Sequence, residues 1–565
     1  MKKRIFTLLF LCMAFAMVSN AQTTYEVGLM DSLNVFVANN SDPAGSIYVL
    51  PRGSYYVIWS AISVTTDITF KAADGAGARP VIVNSYENGG WNMMYLGGNV
   101  TFENIHLNFS TYDGGRGGWH RGGINFTGVN TTLKVDNCII DFVDGWGFQT
   151  DGAAENATLI FTNNQFRKCG IYNSGRWQAQ LINVKNTDVA LMYLENNTFF
   201  EGVAPIIIYQ FGNLREVWLN HNTVVSHAQF PFLIEYWQKG VVMNNLFVDA
   251  HFAGERAADR PGQDVDALPY GIINFADYAP GDTLKPVGFP NPNERILGIG
   301  YNANHITPEV RYYWDNYTTY PCLSAADTFL VVDFINSRTE SMLKDHATYP
   351  YLAWDDALSV VSNEAPGFTN YEIDTEHEVL FARNINGDTT ALDGWTADAG
   401  AWSQWPVKND PLLPHSGADL PADYYNFSYT NNNLKEKVAY HGYPVGDLNW
   451  WPTEKAAWLA DPNRETYENR KQAVLDGTFF SYDPSGVDNP ALLNQIRVYP
   501  NPASDLVMID VDGTADVTLC NLIGQKVYQC MTKNGVIDIS GLEPGIYLMK
   551  IDHLGKTYEQ KLVVQ

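Results

Sequence analysis

Six short stretches share one pattern, an alternation of apolar and polar residues that runs into asparagine. They read "VTFENIHLNF" from Val100, "LKVDNCIIDF" from Leu133, "LIFTNNQFRK" from Leu159, "MYLENNTFFEGV" from Met192, "VWLNHNTVVS" from Val217 and "VVMNNLFVDA" from Val241. Aligned on Asn104, Asn137, Asn164, Asn197, Asn222 and Asn245, they are spaced 33, 27, 33, 25 and 23 residues apart. A unit this short cannot bury its apolar side alone, so copies must stack on one another. Each unit continues with a second short strand, a variable loop and a third apolar strand. That third row reads "GINFTG" from Gly123, "GFQTDG" from Gly147, "QLINVK" from Gln180, "PIIIYQ" from Pro205, "FLIEYW" from Phe232 and "GIINFA" from Gly271. Three parallel sheets coiled around one core make an all-β fold, the right-handed parallel β-helix. The asparagines then have a structural task. Asn tolerates the left-handed conformation of a sharp bend, and its amide donates and accepts at once, so copies can bond from coil to coil as a ladder.

The rest of the chain organises around this solenoid. Residues 1–21 read as a signal peptide, with Lys2-Lys3-Arg4, an apolar run from Ile5 to Val18 and small residues near Ala21. No later stretch is long and apolar enough to suggest a membrane span. The β-helix is expected over 22–490, with leading coils at Ile47–Val57 and Ile68–Asn84 and a helical cap at Leu29–Asn40. After about 253 the repeats lose regularity, and long insertions lead to a wrap expected to close the far end. One helix is expected near Thr453–Leu459, and "YPVGDLNWWP" (Tyr443–Pro452) stands out without an evident role. Residues 491–565 change character again, to short strands with Gly/Pro turns, the pattern of a small β-sandwich.

Charge narrows the partners. Without the three leading basic residues the chain carries 33 basic against 62 acidic side chains, so it repels nucleic acid. The cysteines beyond Cys12 are Cys138, Cys169, Cys322, Cys520 and Cys530, too sparse for a disulfide framework or a zinc site; only Cys520 and Cys530 are placed to pair across a hairpin. The 15 Trp and 32 Tyr suit either a large β core or a surface that stacks on sugar rings.

The C-terminal stretch, with "YPNPASD", "NLIGQKV", "LEPGIYLMKI" and the terminal "KLVV", closely resembles the type A sorting domain of the type IX secretion system of Bacteroidetes. That resemblance implies engagement with the secretion machinery, export, and either release or surface attachment. The repeat region resembles the pectin-lyase-like β-helix proteins, among which are lyases, hydrolases and adhesins, so fold alone leaves function open. "VWLNHNT" (Val217–Thr223) is similar to the "vWiDH" stretch of pectate lyases, but Asn220 stands where the family has Asp and the Arg-rich companion motif is missing. "NTD" (Asn186–Asp188) is similar to polygalacturonases, whose further motifs do not follow. A chondroitinase-B-like lyase is the closer loose match.

Alternation along the third row places Asn125, Gln149, Asn183, Tyr209, Glu235 and Asn274 outward, and two residues on Thr127, Asp151, Lys185, Phe211, Trp237 and Ala276. Loops flanking the row bring Trp119, Trp146 and Trp177, with Arg121 and Arg176. Amides for hydroxyls and aromatic faces for ring planes suit an extended polysaccharide. For a lyase acting on an acidic glycan, Lys185 is the candidate base and Arg121 and Arg176 the candidate partners of the substrate carboxylate. Trp119, Trp146, Trp177, Asn183, Tyr209 and Trp237 are candidate substrate contacts. Asp151 and Glu235 are candidate Ca²⁺ ligands, oxygen donors for a hard cation. Against this stand plainer readings: Asp151 and Lys185 as a surface ion pair, the Trp row as loop packing, and the histidines as turn residues. The lyase reading is therefore held beside a non-catalytic glycan-binding surface protein or adhesin, and a glycoside hydrolase. A monomer is expected.

Overall fold

The computed structural model describes residues 22–565 except 86–91, 112–121, 153, 171–178, 211–212, 257–268, 279–280, 284, 321–328, 331–333, 355–358, 362–364, 389–390, 392–424, 432–433, 435–438, 463, 481–497, 500–502, 510–513, 522–524, 534 and 554–555. Three all-parallel sheets of 11, 10 and 7 strands stack coil on coil as a parallel β-helix. The first sheet carries the strands that run into asparagine (Val100–Glu103, Thr132–Asp136, Ala157–Thr162, Asp188–Glu195, Asn213–Asn220, Lys239–Met243). The second takes the strand just after each turn, as in Ile139–Asp141 and Gln165–Cys169, and the third takes Gly122–Phe126, Trp146–Asp151, Gln180–Lys185 and Ile207–Gln210. Inside, aromatic rings stack along the axis: Tyr25 on Tyr48, Tyr48 on Phe70 and Phe70 on Phe102, with centroids 5.7, 5.4 and 5.6 Å apart. Burial of these rings and of aliphatic neighbours such as Ile140, Ile182 and Leu194 is what holds the coils together.

The asparagines occupy two rows. Asn104, Asn137, Asn163, Asn196 and Asn244 adopt the left-handed conformation, with His221 and Tyr301 in the same row (φ 51–60°). The residue that follows each makes the ladder: Asn164 bonds Asn197, Asn197 bonds Asn222, Asn222 bonds Asn245 and Asn245 bonds Asn302, Nδ2 to Oδ1 at 2.9–3.0 Å. Each ladder amide also donates to a backbone carbonyl, as Asn197 does to Phe161 at 2.9 Å. Asn104 and Asn137 thus belong to the bend row rather than to the ladder. Their ladder neighbours are Ile105 and Cys138, and the Cys138 amide N–H donates to Asn164 Oδ1 at 2.9 Å. Bending and coil-to-coil bonding, expected of one residue, are divided between two adjacent ones.

The leading coils and cap fall where the pattern places them. Strands Ser46–Leu50 and Tyr55–Ile58, then Ile68–Ala72 and Val81–Asn84, enter the first and second sheets, and helix Leu33–Asn39 buries Leu33 and Val37. At the other end the third sheet closes earlier than expected. Its last strand is Phe232–Leu233, and from "GIINFA" only Ile273 forms a bridge, to Ile335. The first and second sheets continue to Leu352–Trp354 and Ser359–Val361.

The segment beyond is a strap along the flank, not a plug at the far end. Its order is antiparallel to the stack of coils. The Tyr440 amide donates to Asn244 Oδ1 (2.8 Å), His221 Nδ1 lies 3.1 Å from the Gly446 carbonyl, the Leu448 amide donates to Asn196 Oδ1 (3.2 Å), and Lys455 Nζ donates to Asn163 Oδ1 (2.5 Å). The bend row therefore holds the strap by the side chains that the left-handed turn throws outward, and this is the role of "YPVGDLNWWP". Gly446 sits at the closest approach: its φ is +92°, and a Cβ there would lie 2.5 Å from Thr223 Oγ1. Apolar packing of Phe427, Val445, Leu448 and Trp458 against Phe200, Val225 and Leu246 completes the seal. The expected helix is present at Pro452–Ala460; helices Pro308–Asp315, Ser337–Lys344, Thr375–Ile385 and Tyr467–Leu475 are further additions.

The C-terminal unit is built separately, from a three-stranded and a four-stranded antiparallel sheet sharing a core of Val507, Val517, Leu519, Met549, Ile551 and Leu562. Cys520 and Cys530 carry no disulfide: Cys530 lies opposite Val517, and Cys520 opposite Lys526, so the hairpin register sets them apart.

Candidate functional site

The third sheet confirms the phase of the strip over three coils and shifts it afterwards. Asn125, Gln149 and Asn183 are in register, as are Asp151 and Lys185. In the next coil, however, Ile208 lies beside Asn183, Tyr209 beside Val184 and Gln210 beside Lys185. "PIIIYQ" offers no polar alternation from which the phase could be read, so the expected row slips by one residue there.

The amide row is deeply set: Asn125, Gln149 and Asn183 are 7, 5 and 3% exposed. Asn183 Nδ2 donates to Gln180 Oε1, whereas Oδ1 of both Asn125 and Asn183 is buried with no hydrogen-bond partner. A buried acceptor left unmatched costs about 1–3 kcal/mol. Two of them on one row are acceptors waiting for a donor. Lys185, half-buried at the end of the neighbouring row, is held at its backbone by N–H donation to Thr150 Oγ1 at 3.2 Å. Trp146 is half-buried as well, and its indole N–H donates to Asn92 Oδ1 at 2.8 Å, which fixes the ring against the first positions of this sheet.

Other expected site residues lie elsewhere. Trp237 is 1% exposed, packs in the solenoid core and donates from Nε1 to the Asn274 carbonyl at 3.2 Å, so it does not reach the surface strip. Glu235 is buried and ion-paired with Arg338 on helix Ser337–Lys344, which commits its carboxylate to a cation of the chain. Tyr209 is half-buried with its hydroxyl 2.8 Å from that of Tyr278, and burial raises its pKa. Arg121, Arg176, Trp119 and Trp177 lie outside the described residues, as does the Asp151 side chain. Among the described residues no three His, Cys, Asp or Glu side chains converge as metal ligands.

Two charged constellations had no signal in the sequence, because their members are brought together by the strap and the helices beyond the last coil. The second bend of each coil is also left-handed, at Phe142, Lys168, Glu201, Ser226 and Asp249. Its side chains line up: Lys168 Nζ bonds Glu201 Oε2 at 2.6 Å, and the Tyr371 hydroxyl lies 3.2 Å from Glu201 Oε1 and 3.3 Å from Ser226 Oγ. Asp249 meets Glu378 of helix Thr375–Ile385, and both are buried. Burial pushes Asp249 up to about 6, and burial with the Asp249 charge raises Glu378 well above the ordinary carboxyl range. Under the strap, burial raises Asp447 to about 7, and burial lowers Lys455 despite the nearby carboxylates of Asp447, Asp136 and Glu195. Asp447 accepts from Thr198 Oγ1 at 2.7 Å and from the Asn449 amide at 2.8 Å. Both sets bind the added segments to the coils.

The C-terminal unit has a different use. Its seven strands and apolar core lie within a stretch, residues 497–565, that matches the secretion system C-terminal sorting domain. The tail is a type IX secretion sorting domain. No curated protein matches the chain. The sorting domain engages the type IX secretion machinery and marks the protein for the cell surface or the extracellular medium. Among the described residues no helix is long and apolar enough to cross a membrane.

Proposed function

We propose that this exported β-helix binds an acidic polysaccharide along its third sheet and cleaves it by β-elimination, with Lys185 as the base. The observation that carries the reading is the pair of partnerless acceptors, Asn125 Oδ1 and Asn183 Oδ1, on the row beside Lys185. Glycan hydroxyls are the donors such acceptors lack. Asn125, Gln149 and Asn183 are separated by the coil spacing of about 4.8 Å, which favours an extended chain over a compact ligand.

In the proposed reaction Lys185 Nζ takes the proton at C5 of a uronate residue. The electron pair of that C–H bond forms the C4–C5 double bond, the C4–O bond breaks, and the leaving oxygen takes up a proton. Arg121 and Arg176, from the loops that flank the strip in sequence, are the residues for the substrate carboxylate. Pairing of Glu235 with Arg338 supports elimination over hydrolysis, because it removes from the strip an acid that two-carboxylate chemistry would use.

The test is incubation of the protein with pectins, alginates, glycosaminoglycans and neutral glycans, following ultraviolet absorbance of unsaturated uronate and reducing ends together. Absorbance from one acidic glycan, lost in Lys185→Ala, is the expected result. Reducing ends without absorbance would make the protein a hydrolase. Retention of a glycan in an affinity gel, without either signal, would make it a binding protein.

A further inference from the structure

We propose that Tyr95 is a further contact of the third-sheet strip, its hydroxyl meeting a sugar residue three positions along the glycan from the one at Asn183. The assignment rests on the polysaccharide reading and adds to it a direction: the chain runs from the coil of Lys185 toward the leading coils.

Register places Tyr95 on the amide row itself. It lies on the strand Asn92–Leu96 as the partner of Asn125, which is followed by Gln149 and Asn183; on its other side the partner is Ser63 of the strand Ile62–Val64. The phase is the same in each coil. Met94 and Leu96 beside Tyr95 lie in the core, as do Ile124 and Phe126 beside Asn125 and Ile182 and Val184 beside Asn183. Alternation then puts Tyr95 and the amides on the same outer face. The strand is also tied to the strip from the side, because the Trp146 indole that opens the strand of Gln149 donates to Asn92 Oδ1 at 2.8 Å.

The two ends of the row differ. Past Asn183 the next partner is Ile208, apolar and buried, so hydrogen bonding stops there. In the other direction exposure rises, from the deeply set amides to half-buried Tyr95 and exposed Ser63. The Tyr95 hydroxyl has no hydrogen-bond partner among the described residues and is not buried, so it stands open to solvent.

Three coil steps of about 4.8 Å separate Tyr95 from Asn183, about 14 Å in all. That distance removes Tyr95 from proton transfer at Lys185 and makes it a binding residue. One sugar residue of an extended chain advances by about one coil step, so a tetrasaccharide with its first ring at Asn183 brings its fourth to Tyr95. A phenol hydroxyl donates and accepts, which suits a sugar hydroxyl as well as a uronate carboxylate.

The test titrates the full chain, carrying Lys185→Ala so that the ligand is not consumed, with disaccharides and tetrasaccharides of galacturonan, alginate, hyaluronan and chondroitin. Adding Tyr95→Phe removes the hydroxyl and keeps the ring. The expected result is about fivefold weaker binding of the preferred tetrasaccharide, with disaccharide affinity and melting temperature unchanged. Equal tetrasaccharide affinity with and without the hydroxyl would overturn the assignment of Tyr95 and leave the polysaccharide reading standing. A loss of the same size with the disaccharide would overturn its place at the fourth ring. If neither wild type nor Lys185→Ala binds any of the panel, the polysaccharide reading falls and Tyr95 with it.

Discussion

Asn197 donates from Nδ2 to Oδ1 of Asn222, one coil further on, at 2.9 Å. It receives the same bond from Asn164 and donates also to the Phe161 carbonyl. Asn197→Ala strands several buried polar groups at about 1–3 kcal/mol each, so a loss of at least about 3 kcal/mol is expected. Asn137, exposed in the bend row, loses left-handed tolerance on replacement by Ala, at about 1–2 kcal/mol, and one exposed hydrogen bond that Arg79 Nη2 donates to its Oδ1 at 2.9 Å. Urea unfolding of the two variants separates ladder from bend. Equal losses would contradict the two-row assignment.

Gly446→Ala should release the strap. The new Cβ would lie 2.5 Å from Thr223 Oγ1 at a φ of +92°, a strain of more than about 1 kcal/mol before any clash. Limited proteolysis reads this directly, as new cleavage between 440 and 455 with the leading coils still resistant. An unchanged digestion pattern would mean that the strap does not depend on this close approach.

Stability is expected to fall as pH rises above about 4. Asp249 and Glu378 have folded pKa values raised above their unfolded ones, so the folded state binds more protons. Their contribution is fully present below the unfolded values and is lost as pH climbs through about 6 for Asp249 and further for Glu378. Asp447, raised to about 7, acts in the same direction. Glu378→Gln, which keeps a donor and cannot ionise, should flatten the slope of melting temperature against pH; the same slope in the variant would remove the pair as its cause.

Acid has the opposite effect elsewhere. Burial alone would raise Asp141, but Arg167 and His106 hold it well below the usual carboxylate range, with Arg167 Nε and Nη2 each 2.5 Å from its oxygens. Burial lowers the pKa of His106. Both groups therefore lose stability as pH falls through their depressed values. Asp141→Asn should remove part of that acid sensitivity while lowering stability at neutral pH by about 3–5 kcal/mol, because the buried Arg167 guanidinium loses the carboxylate that it bonds through Nε and Nη2. Circular dichroism melts from pH 7 down to about 2, below the unfolded carboxylate value, would show both effects.

Trp237→Ala is expected to cost about 3–5 kcal/mol of stability by opening a cavity in the core, and to change glycan affinity only as far as the fold is lost. Lys185→Ala should do the reverse, abolishing turnover at unchanged melting temperature. A Trp237 variant that melts normally but binds less would restore that residue to the site.

The solenoid was legible because its signal is local and repeated: a strand's alternation, a bend, another strand. The same locality explains what was missed. Asn163 and Asn164 are neighbours, and only the coil-to-coil register shows that one bends and the other bonds. Extending the period through "FLIEYW" points Trp237 outward, but apolar residues fill both phases there and burial alone decides. Glu378 and Asp447 met their partners, Asp249 and Thr198, across sequence separations that no periodicity spans. In the sorting domain a few short motifs carry the resemblance, so its family was readable from a few dozen residues.

Stacked-repeat chains ordinarily change length by gaining or losing a unit, since each coil touches only its neighbours. The strap alters that freedom. It grips the coils of Asn244, His221, Asn196 and Asn163 in descending order. An added or deleted coil within this stretch would shift every later grip by about 4.8 Å, out of hydrogen-bonding reach. Copy number is thereby fixed in the middle of the solenoid, and variation in length among descendants of such a chain should concentrate outside the coils of Asn163 to Asn244.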